Sequence, residues 1–162
     1  MKARSDNPQR SAAETGWLVF VGLVVMALLI GRVALAYRWE LLADEAYYWV
    51  WSLRPALGYY DQPPMIAWLL AAGRPVVGDS PLGMRMLPMV LGLLGMAALT
   101  PLARDRGLWL LWCLTLPPLA VLTFFATPDA PLLGFWAMCL AGALRGGRWW
   151  VVAGAAAGCA FL

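Results

Sequence analysis

Residues 17–37 run for about 21 positions with Arg32 as their one charged side chain, and at about 1.5 Å per residue a helix of that length crosses a hydrocarbon core of roughly 30 Å. Backbone in lipid must satisfy its own hydrogen bonds, so such a segment folds as a helix. Further apolar runs follow at 82–103, 108–126, 131–144 and 149–162. With 62% hydrophobic and 13% charged residues and a mean hydropathy of +0.70, too little polar surface exists to coat a water-facing globule. The expected fold class is all-α, a multispanning transmembrane helical bundle. It would have four complete spans and a truncated fifth, because the last run of about 14 residues reaches only about 21 Å.

Residues 1–16 are polar, hold Lys2, Arg4 and Arg10, and read as a disordered cytoplasmic tail. A basic start, an apolar run and Ala34-Leu35-Ala36 also fit a cleavable signal peptide. Arg32 inside the would-be cleavage region and the length of the run favour an uncleaved anchor. Residues 38–81 form a long outer loop, too patterned to lack structure. Residues 40–53, rich in Tyr and Trp, suit a short interfacial helix, and Pro63-Pro64 suits the start of a second over 65–72. Pro117-Pro118 predicts a kink in the third span. Gly154-Ala155-Ala156-Ala157-Gly158 reads as a close helix-packing motif.

Charge sets the expected orientation. Lys2, Arg4, Arg10, Arg104, Arg106, Arg145 and Arg148 fall on one side of the predicted spans, and Glu40, Asp44, Glu45, Asp61, Asp79 and Asp129 on the other. The positive-inside rule puts the N-terminus inside, although Arg38, Arg54, Arg74 and Arg85 on the outer side blunt the contrast. A net charge of +3 distributed in this way calls for no nucleic-acid partner, and the bilayer itself is the expected surrounding. Cys113, Cys139 and Cys159 lie in apolar runs and read as buried free thiols. The absence of histidine removes the commonest general base and metal ligand, so acid–base chemistry falls to carboxylates. No cofactor is implied, and nothing in the sequence supports a divalent metal.

The acids stand in recognisable settings. Asp44 and Glu45 follow the outer end of the first span, and an acid there either takes a proton from a substrate or marks the membrane boundary. Arg85, near the outer end of the second span, suits a phosphate, as do Arg54 and Arg74, while snorkelling to lipid phosphates is the alternative for each. Arg32 lies deep, to snorkel or to pair with an acid. Asp129 opens the fourth span, as a helix cap or a site residue. The cluster Tyr47, Tyr48, Trp49, Trp51, Tyr59 and Tyr60 fits an interface belt, with Tyr48 and Tyr60 as candidate substrate contacts beside Asp44, Asp61 and Gln62.

Taken as a series, Asp44-Glu45-Ala46-Tyr47-Tyr48-Trp49, then Gly58-Tyr59-Tyr60-Asp61-Gln62-Pro63-Pro64, then Thr127-Pro128-Asp129-Ala130-Pro131-Leu132 resemble a known family. It is the GT-C glycosyltransferases of the bacterial protein mannosyltransferase and aminoarabinose transferase superfamily, glycosyltransferase family 39-like. The resemblance implies a fold of around a dozen spans in the bacterial cytoplasmic membrane, of which residues 17–162 would be the N-terminal part, inactive alone. It also implies a polyprenyl-phosphate-sugar donor and an inverting transfer to an unidentified acceptor. Asp44 would act as catalytic base with Glu45 beside it, Asp129 would be the second acidic position, Glu45 and Asp129 would position the acceptor or its sugar, and Tyr48, Tyr60, Asp61, Gln62 and Arg85 would bind substrate. Gln62 stands where the family often has His, and it can hydrogen-bond but not titrate. A transporter and a non-catalytic truncated membrane protein are the alternatives; for the first, only Arg32 lies deep enough.

Overall fold

The computed structural model describes residues 8–162, and every element in them is helical. α1 (Pro8–Arg38) is the longest at 31 residues. It begins within the stretch expected to be a disordered tail, because Pro8 suits a first helical turn and Ala12 and Ala13 favour helix. Residues 1–7 of that expected tail lie outside the described residues. Among the described residues, two helical stretches are long and apolar enough to cross a membrane, Glu14–Arg38 and Pro81–Leu102. Leu18, Phe20, Leu23, Met26 and Ile30 of α1 are all more than half exposed, a continuous apolar surface suited to lipid and not to water.

The loop between these stretches carries two helices. α2 (Ala43–Ser52) is close to the expected 40–53, while α3 (Met65–Val77) continues past the expected 72 and takes Pro75 into its last turn. α4 (Pro81–Ala98) starts at Ser80, whose hydroxyl accepts from Gly83 N–H, and runs into a 3₁₀ turn over Thr100–Leu102. Tyr48, Ile66, Leu70, Met84 and Ala126 form a core where α2, α3 and α4 meet the turn before Asp129.

The third apolar run does more than kink. α5 (Arg106–Thr115) stops, Leu116 is extended, and α6 (Pro117–Leu122) starts anew. The residue before a proline is pushed out of the helical region, and Pro117 and Pro118 bring no N–H to continue the ladder. Arg32 repairs the far end of this broken element. It neither snorkels nor meets an acid among the described residues; its Nη1 donates to Thr123 O (3.3 Å) and Thr123 Oγ1 (3.1 Å), and its Nη2 to Ala120 O (3.0 Å). A cation on the carbonyl end of α6 also complements the helix dipole.

α7 (Asp129–Arg145) and α8 (Trp149–Ala160) are joined through Gly146 and Gly147, at φ 69° and 56°, a left-handed turn that favours glycine. The glycines that bring helices close are not the expected Gly154 and Gly158, whose missing Cβ would meet open space. They are Gly95 and Gly134, packed backbone to backbone between α4 and α7, and Gly142, where an added Cβ would come within 2.9 Å of Trp149 O. The buried face of α8 is instead Ala153 and Ala156.

Candidate functional site

α2 sets the site by its phase. Glu45, Tyr48 and Ser52, at i, i+3 and i+7, turn inward, and Asp44 is left exposed. Glu45 sits in the first turn, where its Oε2 accepts from Leu42 N–H at 3.0 Å and closes the helix start.

The same carboxylate meets Arg85 of α4, and both side chains are fully buried. Arg85 Nε donates to Glu45 Oε1 at 2.8 Å and Nη2 to Glu45 Oε2 at 2.6 Å. Its remaining N–H groups reach Ala36 O (3.4 Å), Trp39 O (2.7 Å) and Glu40 O (2.8 Å), the carbonyls where α1 ends and the loop begins. Phe124 and Phe125 lie 5.4 and 5.6 Å from the guanidinium carbon. Glu45 Oε1 also accepts from Ala126 N–H at 2.8 Å. Burial pushes the Glu45 carboxyl up, but the Arg85 hydrogen bonds, the Ala126 and Leu42 amides and the Arg85 charge together hold it below its ordinary value.

These contacts correct two expectations. Every N–H of Arg85 is engaged by protein, so it has neither a donor nor exposed surface for a phosphate. Glu45 is equally saturated and cannot touch a substrate. Arg74 is also occupied, in a two-bond pair with Asp79 at 2.6 and 2.9 Å.

The other acids stay open. Asp44, Asp61 and Asp129 are exposed, and Tyr47 Oη reaches Asp61 at 3.5 Å, the outer limit of a hydrogen bond. Asp129 is the first residue of α7, yet it caps nothing, since the cap position falls to Pro128 and no side-chain bond closes the helix. It lines a cleft of about 170 Å³ together with Gln62, Pro63, Ile66 and Pro128, so the Gln62 turn and the start of α7 face each other. Tyr48 packs with Ala126 and with Ile66, which lines the cleft, and its hydroxyl has no hydrogen-bond partner among the described residues. Burial, and after it the charges of Asp44, Asp61 and Asp129, push its phenol above the ordinary value.

Tyr60 is not brought in; it projects fully into the open. Its neighbour Tyr59, not singled out as a site residue, staples the loop: its ring stacks on Trp51 at 4.4 Å, and its hydroxyl shares its one proton between Trp51 O and Arg54 O and accepts from Ala56 N–H. Among the described residues, no three acid or thiol side chains converge closely enough to hold a metal ion.

Comparison with known proteins adds the family. The family described as dolichyl-phosphate-mannose-protein mannosyltransferase matches residues 61–162, a stretch that includes Asp61, Gln62 and Asp129. Lipid A galacturonosyltransferase RgtD of Rhizobium johnstonii is 31% identical over 127 residues, covering 73% of this chain and 27% of that protein. The chain therefore spans about a quarter of the length of this relative. No solved structure matches the chain. The acidic series on the loop side of the bundle, the helical architecture and the match over residues 61–162 converge, and the chain belongs to the dolichyl-phosphate-mannose-protein mannosyltransferase family of GT-C glycosyltransferases.

Proposed function

We propose that these residues are the N-terminal part of a membrane glycosyltransferase that moves a sugar from a polyprenyl-phosphate donor to an acceptor on the outer face of the bacterial cytoplasmic membrane. Asp44 takes the proton from the acceptor hydroxyl or amine. The freed nucleophile attacks the anomeric carbon as its bond to the phosphate oxygen breaks, and the lipid phosphate leaves with the electron pair, inverting the centre. Asp129, Asp61 and Gln62 bind hydroxyls of the substrates, and Tyr48 offers them a donor. The observation that carries this reading is that Asp129 and Gln62 line one cleft, while Asp61 stands against Tyr47 of α2, the helix that exposes Asp44, all at the loop end of the helices. Clustered carboxylates at a bilayer edge are a costly arrangement that function explains better than stability does.

In this reading α1, α4, the α5–α6 pair and α7 cross the membrane and α8 starts a fifth crossing. α2 and α3 lie along the outer surface, with the N-terminus inside. The rival transporter reading rested on Arg32, and that side chain is committed to the end of α6.

The test is transfer from a labelled polyprenyl-phosphate donor pool by the full-length protein in membranes. Asp44→Asn, which keeps the shape and removes the base, is expected to abolish transfer with insertion unchanged. Full activity in that variant would falsify the role of Asp44. The donor arm has its own control, since loss of label transfer when the lipid phosphate is replaced by a free sugar is expected.

A further inference from the structure

The Glu45–Arg85 pair joins the end of α1, the start of α2, α4 and the turn that leads into α7. Through Arg85 it holds three carbonyls at the end of α1, and through Glu45 it holds the start of α2. It also holds the turn that leads into α7, by the Ala126 amide on Glu45 Oε1 and by Phe124 and Phe125 against the guanidinium. Asp44 is one residue before Glu45, and Asp129 is three residues after Ala126. A single carboxylate therefore sets two exposed acids from distant parts of the chain relative to each other.

We propose that Glu45 and Arg85 are positioning residues for the transfer reaction, a clamp that fixes the spacing of Asp44 and Asp129; the inference rests on the glycosyltransferase reading above. Neither residue touches substrate, because every polar atom of both is engaged within the protein. The reach of the side chain matters as much as its charge. A shorter acid at position 45 still neutralises Arg85 but cannot also span to the Ala126 amide, so the turn before Asp129 comes loose while the buried cation stays paired.

Glu45→Asp in the full-length protein separates these roles, with Glu45→Gln as the second variant. A displacement of about 1 Å at a reacting group lowers a rate by as much as roughly 100-fold. Glu45→Asp is accordingly expected to insert, to keep KM for the polyprenyl-phosphate pool within about twofold, and to lose between about 10-fold and 100-fold in kcat. A raised KM with unchanged kcat would put position 45 in substrate contact and overturn the proposal. A second readout is independent of transfer: spin labels carried by unnatural residues at the exposed positions Val50 and Leu132 report the distance between α2 and α7. The distribution should be narrow in the wild type and broader in both variants. An unchanged width overturns the clamp whatever the kinetics show. A wild-type protein with no transfer defeats the glycosyltransferase reading instead, and the label distance alone then decides whether the clamp exists.

Discussion

Asp44 and Glu45 are chemical neighbours with opposite fates, and a helix turn of about 100° per residue is the reason. Glu45 shares the inward stripe with Tyr48 and Ser52, while Asp44 faces out. The acidic pair and its place past the first span were legible in the sequence, and so was the stripe, had the i, i+3, i+7 spacing been applied to it. The partner was not legible, since nothing local ties Arg85 to Glu45 across 40 positions. That is why a phosphate role suited Arg85 on position alone. The pair also makes a stability prediction with a definite sign. The Glu45 pKa is lowered from 4.5, so its contribution is complete above that value and is lost as pH falls through the lower folded value. Removing one partner of a buried pair costs about 3–5 kcal/mol. Thermal melts in detergent should therefore place Glu45→Gln well below wild type at neutral pH. The gap should hold down to mildly acid conditions and close only as Glu45 itself is protonated. A gap that narrows between pH 7 and 6 would contradict the lowered pKa.

Helix boundaries followed the apolar runs and the prolines, but helix contacts did not. The expected run over 131–144 appears as α7 (Asp129–Arg145), and Pro64 ushers in α3 as the paired prolines suggested. The Pro117-Pro118 signal was read correctly in place and underestimated in effect: a kink leaves one helix, whereas the extended Leu116 leaves two. The small-residue motif marked a closely packed helix but not every residue that packs: α8 lies on α7 through Ala153 and Ala156. Gly154 and Gly158 have the spacing of a packing face, but a glycine brings helices close only if a backbone lies opposite it, and that is decided by the tertiary arrangement. Gly95 and Gly134 have such neighbours. Gly95→Ala should force α4 and α7 apart and destabilise the protein by roughly 1–3 kcal/mol, seen as a lower melting temperature. Gly154→Ala, opposite nothing, should leave melting unchanged or raise it by less than about 1 kcal/mol equivalent. Equal effects from the two substitutions would mean that helix propensity, not the α4–α7 contact, governs both.

At the scale of the whole molecule, orientation follows from which residues share an end of the bundle. The turn at Gly146-Gly147 and the start of α5 carry Arg104, Arg106, Arg145 and Arg148, and Arg145 Nη2 donates to Ala98 O at the end of α4. The opposite end gathers α2, α3 and the exposed acids, so one face of the bundle is basic and the other carries the candidate site. In the reading proposed above, the positive-inside rule puts the basic end in the cytoplasm, and on the other side Arg85 is paired with Glu45 and Arg74 with Asp79. A cysteine at Leu57, which is 91% exposed on the loop, should react with a membrane-impermeant thiol reagent in intact cells. A cysteine at Arg104 should react only after the membrane is permeabilised. Cys113, Cys139 and Cys159 lie within apolar helices and should give little background. The reverse labelling pattern would put Asp44, Asp61 and Asp129 in the cytoplasm. Transfer on the outer face would then be excluded even with every contact around Tyr48 in place, because the donor's sugar and the acids must meet on the same side of the bilayer.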